Sequence, residues 1–186
     1  MDNTKTDNEL MEEFKNCSKA AYIKVFHRYK SKLLNFTMRS FSLDKDLAEE
    51  VVQQSLIKVY MYKYNYKPVF CFSTWIYTVA RNYALTELRG ISKKLKRTEE
   101  LEPDLIDSKV RDKSESGVVE RTETGEIIEM LLGKLPENYR EIIVLRYIQE
   151  LPFEEIAKVT GKNINTVKSL CKRGLQRLKT LSEEYE

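Results

Sequence analysis

The sequence has few of the residues on which many enzyme sites and sheet-rich folds depend. Its 186 residues include only six glycines, four prolines, three cysteines and one histidine, His27. Scarce glycine and proline leave little material for the tight turns of a β-rich fold, so a mostly helical chain is expected. A single histidine leaves almost nothing from which to build a His-based metal cluster or a Ser/His/Asp triad. We therefore predict no catalytic residues, no metal site and no cofactor.

Disulfides and membrane segments are also not indicated. The cysteines, Cys17, Cys71 and Cys171, are odd in number and widely separated, which suits neither a disulfide framework nor a CxxC zinc site. No apolar run approaches the roughly 18 residues of a membrane span. The polar start, MDNTKTDNELMEEF, lacks the apolar segment of a signal peptide. We expect a cytoplasmic protein with reduced thiols and no direct membrane insertion.

Apolar side chains recur at helical spacing in two regions, residues 8–90 and 126–180. Between them, residues 91–125 are rich in charge, serine and threonine, and their apolar residues are scattered. A structureless stretch of that length is uncommon inside one compact domain. The pattern predicts an all-α protein of two small helical domains, residues 1–90 and 126–186, joined by a flexible linker over residues 91–125 that is helical only in its first turn.

Helix boundaries follow from this periodicity and from small polar residues that can cap helices. In the first domain we expect helices over residues 8–19, 20–40, 45–62 and 73–90, with Pro68 interrupting the chain before the last. In the second we expect helices over residues 126–133, 136–148 and 152–159, and a final one from Asn163 to residue 179. The expected N-caps are Asp44 or Asp46, Ser73, Thr124 and Asn163.

The segment from Leu151 to Lys179 has the spacing of a helix-turn-helix. Ala157 supplies a small residue where two helices cross, and Gly161 can take the left-handed conformation of the turn. A single apolar stripe is predicted on each side of that turn. Its members are Phe153, Ile156, Ile164, Val167, Leu170, Cys171, Leu175 and Leu178.

Charge separates sharply along this segment, although the whole chain carries a net charge of only +3. Every charged residue from position 158 to 179 is basic: Lys158, Lys162, Lys168, Lys172, Arg173, Arg177 and Lys179. Such a face suits phosphate contact, although a run of lysine and arginine on a helix can also be a merely solvated surface. Polar residues near the start of the last helix can reach base edges in a major groove. They are Asn165, Thr166, Lys168, Ser169, Lys172 and Arg173.

Two features of the first domain leave alternatives open. The polar face of its third helix is either simply exposed or docks a basic partner. Aromatic and cationic residues interleave between Lys63 and Arg89, a mixture that suits single-stranded nucleic acid. Core packing is the better interpretation for Phe72, Trp75, Ile76, Val79, Ala80 and Tyr83. Both interpretations stay open for Tyr64, Tyr66, Arg81, Asn82 and Arg89.

Four segments in order resemble the extracytoplasmic-function sigma factors, the small two-domain members of the bacterial sigma-70 family. These are AEEVVQQSLIKVY, FSTWIYTVARNYALTELR, LPENYREIIVLRY and LPFEEIAKVTGKNINTVKSLCKRGLQRLK. The resemblance covers residues 10–90 and 126–181. It implies a non-enzymatic subunit that binds core RNA polymerase and directs promoter-specific transcription initiation.

The resemblance also implies which surfaces bind which partners. The first domain would be the sigma region-2-like domain, whose third helix would bind core polymerase through Asp46, Glu49, Glu50, Gln53 and Gln54. The minus-ten element, including an unstacked base of the single-stranded non-template DNA, would be bound by Lys63, Tyr64, Tyr66, Lys67, Tyr77, Arg81, Asn82 and Arg89. The second domain would be the region-4-like domain, whose last helix would read double-stranded promoter DNA at the minus-thirty-five element with the six polar residues named above.

One further partner and one alternative function stay open. Members of this family are often restrained by a membrane-bound anti-sigma factor, so such a protein is a candidate partner. The alternative is a stand-alone helix-turn-helix transcriptional regulator, which would need a ligand pocket, a phosphoacceptor or a dimerisation helix within residues 1–90. The sequence offers no feature of that kind in those residues.

Overall fold

The computed structural model describes residues 5–69, 71–101 and 123–184. Within these ranges the regular structure is helical and no strand occurs, so the predicted all-α class is confirmed. The N-terminal helices are α1 (Asp7–Lys15), α2 (Lys19–Phe41), α3 (Lys45–Met61) and α4 (Phe72–Leu101), with a 3₁₀ turn over Lys63–Asn65. The C-terminal helices are α5 (Glu123–Lys134), α6 (Glu137–Ile143), α7 (Phe153–Thr160) and α8 (Ile164–Glu183), and a π-helical turn over Val144–Ile148 continues α6.

Two of the predicted N-caps are present. Asp44 Oδ1 accepts a hydrogen bond from the Leu47 amide at 2.8 Å, and Asn163 Oδ1 accepts one from the Asn165 amide at 2.9 Å. The prediction for Ser73 was wrong, because α4 begins one residue earlier and the Ser73 hydroxyl is bonded elsewhere. Thr124 likewise lies inside α5 rather than before it.

Helix α4 extends further than the sequence suggested. It continues to Leu101, inside the segment predicted to be a linker with only one helical turn. A glycine within a helix, here Gly90, costs only about 1 kcal/mol relative to alanine, and the lysines, arginine and glutamates that follow it are good helix formers. Helix α5 likewise begins at Glu123, inside the predicted linker, and residues 102–122 lie outside the described residues.

The N-terminal and C-terminal helices each bury an apolar core, and the two cores meet. Helices α2, α3 and α4 enclose Phe36 and Phe72, whereas α6, α7 and α8 enclose Ile142 and Ile156. Helix α4 packs on α7, and α2 packs on α6. At this junction the buried Arg140 donates from Nε to the Ser40 carbonyl oxygen at 3.1 Å. The C-terminal helices are therefore held directly against the N-terminal ones.

Candidate nucleic-acid and polymerase interfaces

The turn between α7 and α8 has the geometry of a helix-turn-helix. Gly161 adopts φ +67°, the left-handed conformation that residues with a Cβ rarely take, and Asn163 then caps α8. Val167, Leu170 and Cys171 are buried on the inner face of α8, as predicted. This inner face fixes which side of α8 points to solvent.

One part of the predicted apolar stripe on α8 was wrong. Leu175 is 41% exposed, and Gly174 takes the buried position instead. A Cβ built on Gly174 would lie 3.2 Å from Ile143 Cγ1 and 3.3 Å from Tyr139 Cβ, so α8 approaches α6 closely there. Only a residue without a Cβ fits at this close approach of α8 to α6. Apolar periodicity does not indicate that a glycine will take the buried position.

The predicted minus-thirty-five residues form one outward surface on α8. Asn165, Thr166, Lys168, Lys172 and Arg173 are exposed, and the half-buried Ser169 donates its hydroxyl to the Thr166 carbonyl oxygen at 3.0 Å. Asn165, Lys168 and Lys172 are three and four positions apart, as are Thr166, Ser169 and Arg173, so the six residues form two adjacent rows on one side of the helix. None of these side chains has an ion pair with any part of the chain that the structure describes. We call these six residues the α8 surface.

The five predicted polymerase-binding residues form a second outward surface, on α3, which we call the α3 surface. Asp46, Glu49, Glu50 and Gln53 are exposed and Gln54 is half-buried, while Val51 and Leu56 on the opposite face are buried. Tyr60, in the last turn of α3, is 46% exposed. The polar stripe of α3 therefore continues into an exposed aromatic residue near its C-terminal end.

The loop after α3 separates its aromatic residues into exposed and buried ones. Tyr64 is 67% exposed, with Lys63 Nζ 5.1 Å from its ring centroid. Tyr66 is only 2% exposed, donates its hydroxyl to Asn8 Oδ1 and packs 5.6 Å from Phe72, centroid to centroid. Burial raises the pKa of Tyr66 to about 12. Of the two predicted loop tyrosines, only Tyr64 offers an open ring for stacking.

The predicted residues of α4 are divided in the same way. Asn82 and Arg89 are exposed, as is Lys67 in the loop. Tyr77 is 2% exposed and donates its hydroxyl to Gln149 Oε1 at 2.5 Å. Arg81 is half-buried and forms an ion pair with Glu141, Nε to Oε1, at 2.5 Å. Tyr77 and Arg81 thus both bind side chains of the C-terminal helices.

Two exposed aromatic residues beside Tyr64 were not predicted as site residues. Tyr60 and Tyr62 are 46% and 51% exposed. Helical periodicity does not apply to Tyr62, because α3 ends at Met61, and Tyr60 lies in the last turn of that helix. A tyrosine at every second position from Tyr60 to Tyr66 was the available signal.

Membrane-spanning helices and metal clusters are both missing from the described parts of the chain. Among residues 5–69, 71–101 and 123–184, no helix is both long enough and apolar enough to cross a bilayer. In the portion that the structure describes, no cluster of three or more histidine, cysteine, aspartate or glutamate side chains could hold a metal ion.

Comparison with protein-family models gives two matches in chain order. Residues 25–94 match the model for sigma-70 region 2, and residues 125–178 match the model for sigma-70 region 4. The first match contains the α3 surface, the loop and most of α4, and the second contains α6, α7, the turn and α8 as far as Leu178. Together the matches cover more than half of the chain, and a stand-alone helix-turn-helix regulator is not favoured by them.

Individual relatives agree along nearly the whole length. The chain is 29% identical to the ECF RNA polymerase sigma factor SigM of Bacillus subtilis (strain 168) over 162 residues, covering 84% of this chain and 92% of SigM. It is 28% identical to the ECF RNA polymerase sigma factor SigW of the same organism, covering 91% of this chain and 92% of SigW.

Solved structures share the fold. CnrH, in complex with the cytosolic domain of CnrY, superposes with a TM-score of 0.69 at 20% identity, covering 97% of this chain and 99% of CnrH. The sigma factor RpoE from Bartonella quintana, in complex with the anti-sigma factor NepR, gives 0.67 at 22% identity, covering 87% and 96%. The ordered region 2 and region 4 matches, with relatives of the same length and arrangement, make this chain a member of the extracytoplasmic-function group of the sigma-70 family.

Proposed function

We propose that the chain binds core RNA polymerase through α3 and directs it to promoters through two DNA-binding surfaces. The α8 surface reads the minus-thirty-five element in double-stranded DNA, and the loop with α4 binds the minus-ten element, including the single-stranded non-template DNA. The chain itself supplies recognition and no catalysis. The observation that carries the proposal is the region 2 match falling on the polar α3 surface while the region 4 match falls on the cationic α8 surface.

The minus-thirty-five role rests on the chemistry of the α8 surface. Lys168, Lys172 and Arg173 are exposed cations, and the Asn165 amide near the start of α8 has both donors and an acceptor to present to base edges. A recognition helix presents its N-terminal residues to the major groove while flanking cations contact phosphates. The region of α8 from Asn165 to Arg173 has this distribution.

The polymerase role rests on the α3 surface. Glu49 and Glu50 follow Asp46 by three and four positions near the start of α3, and none of these three carboxylates has an ion pair with described residues. An acidic, uncovered helix face fits a partner with a basic surface, because complementary charge accelerates encounter and fixes orientation. We assign that partner as core polymerase.

For the minus-ten element we propose Tyr64 as the stacking residue, with Lys63 and Lys67 holding the backbone beside it. A stacked base gains roughly 1–3 kcal/mol on an open aromatic ring, which helps to offset the cost of taking it out of the duplex. Asn82, Arg81 and Arg89 lie further along α4 on the same predicted path, and Tyr60 and Tyr62 add exposed aromatic surface at its start.

An anti-sigma factor is a second proposed partner. The structurally similar CnrH and RpoE were each solved with a bound partner, CnrY in one case and the anti-sigma factor NepR in the other. We propose that this chain is restrained by a protein of the same class, with a membrane-bound form as the specific candidate. Because core polymerase acts on the chromosome, the proposal carries a cytoplasmic location.

Run-off transcription with purified core polymerase and a promoter library tests the proposed function. The wild-type chain should support initiation at defined start sites. Glu50→Lys places a cation in the α3 surface and should weaken core binding by on the order of tenfold or more. Glu126→Lys makes the same charge change on α5, outside the proposed surfaces, and should bind core normally.

Circular dichroism of both variants separates binding from folding. Normal helix content with lost core binding in Glu50→Lys supports the α3 assignment. Wild-type chain that binds duplex DNA alone, but neither binds core polymerase nor stimulates initiation, would contradict the proposed function.

A further inference from the structure

Helix α1 packs against the loop that carries Tyr64, and it belongs to none of the proposed binding surfaces. The match to sigma-70 region 2 begins at residue 25, after α1 has ended. Helix α1 contacts α2, α4 and the 3₁₀ turn of the loop. The family match therefore assigns α1 no role, whereas its contacts with the loop indicate one.

Helix α1 is firmly attached to α2. Thr6 caps its first turn through a capping box with Glu9. Asp7 accepts hydrogen bonds from Arg28 and Tyr29 of α2. The apolar residues buried on its inner face are Leu10, Met11 and Phe14. Because both polar and apolar contacts fix α1 in place, it gives the neighbouring loop a rigid support.

One side of the loop is attached to α1 through Tyr66. The Tyr66 hydroxyl donates to Asn8 Oδ1 in the first turn of α1. Lys15 Nζ lies over the Tyr66 ring, 5.3 Å from its centroid. Asn8 and Lys15 are seven positions apart and therefore lie on the same face of the helix. One face of α1 thus contacts both the hydroxyl and the ring of Tyr66.

The other side of the loop is attached to α1 through Lys63. Its ammonium donates to the Phe14 carbonyl oxygen at 3.2 Å. That carbonyl lies in the last turn of α1, where carbonyl groups lack helical partners and a cation is favoured. Lys63 Nζ also lies over the Tyr64 ring, 5.1 Å from its centroid, while that ring stays 67% exposed. Lys63 therefore connects α1 to Tyr64.

Between these two attachments the loop makes a single 3₁₀ turn. The Asn65 amide donates to the Tyr62 carbonyl oxygen at 2.8 Å, and the Tyr66 amide donates to the Lys63 carbonyl oxygen at 3.3 Å. Only Tyr64 and Asn65 lie between the two attached residues. Because the turn is so short, fixing Lys63 and Tyr66 also fixes the backbone at Tyr64.

We propose that α1 is a positioning helix for the minus-ten loop, in which Asn8 acts through Tyr66 on the placement of Tyr64. This inference rests on the proposed function, because it takes Tyr64 as the stacking residue. Ordering a free loop on binding costs conformational entropy and lowers affinity. Here α1 orders the loop when the chain folds, so that cost does not weaken DNA binding.

The experiment measures single-stranded DNA binding by full-length variants in complex with core polymerase. The probe is the fluorescein-labelled minus-ten segment of the non-template strand, taken from a promoter that initiates in the run-off test, and affinity is measured by fluorescence anisotropy. Asn8→Ala removes the acceptor of the Tyr66 hydroxyl and should bind roughly three- to tenfold more weakly than wild type. Asn8→Asp retains an acceptor oxygen and should bind nearly as wild type does. Asn16→Ala is the matched control and should bind like wild type, since Asn16 is an exposed asparagine at the end of α1.

A double-mutant cycle separates positioning from a general loss of stability. If Asn8 acts through Tyr64, Asn8→Ala should weaken DNA binding in the wild-type background and have little effect in a Tyr64→Ala background. Tyr66→Phe removes the donor of the same hydrogen bond and should reproduce the loss. Binding of minus-thirty-five duplex DNA should stay unchanged in Asn8→Ala, because the α8 surface lies on the C-terminal helices.

Wild-type affinity in both Asn8→Ala and Tyr66→Phe would overturn the proposal, as would equal losses from Asn8→Ala in the two backgrounds. If Asn8→Ala loses helix content by circular dichroism, Tyr66→Phe alone decides by the same measurements. Run-off transcription separates this outcome from failure of the proposed function. Wild-type initiation combined with unchanged DNA binding by the variants rejects the positioning role alone, whereas no initiation by the wild-type chain rejects the sigma-factor function on which the inference rests.

Discussion

The two proposed DNA-binding surfaces of this chain are in opposite states. On α8, five of the six predicted residues are exposed and none is in an ion pair with the described residues. On α4, Tyr77 is buried and Arg81 is paired with Glu141. The difference follows from where acidic residues lie: none occurs near the α8 surface in sequence, whereas α6 brings Glu141 against α4. Whether a cationic surface is available depends on the chain's own carboxylates as much as on its cations.

The strongest test of the α8 side removes two of its cations. The double variant Lys172→Ala, Arg173→Ala should bind minus-thirty-five duplex DNA more weakly than wild type. The loss should be about 1–3 kcal/mol for a side chain that contacts a base, with a further loss for a side chain that contacts a phosphate. Lys172→Ala alone should reduce the salt slope of log Kd by roughly one counterion. Filter binding over a salt series measures both values.

The control for that pair is Lys24→Ala, which removes an exposed lysine of α2 outside the proposed surfaces. It should leave affinity and salt slope unchanged. A salt slope unaltered by Lys172→Ala would show that Lys172 contacts no phosphate and that the α8 surface is smaller than proposed.

The proposed minus-ten surface is tested at Tyr64, the exposed tyrosine in the loop before α4. In complex with core polymerase, Tyr64→Ala should weaken binding of single-stranded non-template DNA by roughly 1–3 kcal/mol, because one stacking ring is lost. Tyr64→Phe keeps the ring and should bind nearly as wild type does. If Tyr64→Ala binds the single-stranded DNA as tightly as Tyr64→Phe does, the base does not stack on Tyr64. Tyr60 or Tyr62 is then the next residue to replace.

A smaller effect, on the free energy of unfolding, is expected for a substitution at Gly161 in the turn of the helix-turn-helix. Gly161→Ala forces a Cβ into the left-handed conformation and should lower the free energy of unfolding by about 1 kcal/mol. Gly133→Ala is the contrasting variant, because a Cβ at Gly133 in α5 meets open space, the residue takes no positive φ, and alanine there should raise helix stability by about 1 kcal/mol. Urea denaturation followed by circular dichroism measures the difference. A Gly161→Ala variant as stable as the wild-type chain would mean that the turn relaxes to another conformation.

The smallest expected effect concerns Tyr66, the buried tyrosine beside α4. Its pKa is raised from 10.0 to about 12 by burial, so the folded state retains a phenolic proton that the unfolded state releases first. Stability from this group is complete below pH 10 and is lost as pH rises toward 12. Tyr66→Phe should reduce the steepness of alkaline unfolding, measured by circular dichroism against pH. An identical alkaline profile would indicate that the Tyr66 hydroxyl is open to water.

Local features of the fold could be predicted from the sequence because they depend on neighbouring residues. The turn at Gly161, the cap at Asn163 and the buried face of α8 each follow from spacing within a few positions. The end of α4 could not be predicted in this way, because charged, helix-favouring residues after Gly90 are equally typical of a solvated linker.

Pairing across the chain was outside the reach of sequence pattern. Arg81 and Glu141 are 60 positions apart, and each alone has the sequence character of a surface residue. Tyr66 and Tyr64 look alike in sequence, yet one packs against Phe72 and the other faces solvent. Whether a tyrosine is buried or exposed here depends on tertiary packing, because this residue type occurs in both environments.

The contact of Arg140 with the end of α2 gives the junction a further property. The last carbonyl groups of a helix have no partner within the helix, and here the guanidinium of Arg140 serves the Ser40 carbonyl oxygen and the Ser42 hydroxyl. Ser42 itself is held at φ 51°, in the left-handed region. A side chain of the C-terminal helices therefore caps the C-terminal end of a helix in the N-terminal part of the chain. If the N-terminal and C-terminal helices separate, the last turn of α2 loses its hydrogen bonds from Arg140. We expect amide hydrogens in that turn to exchange faster, while exchange in the middle of α2 stays unchanged.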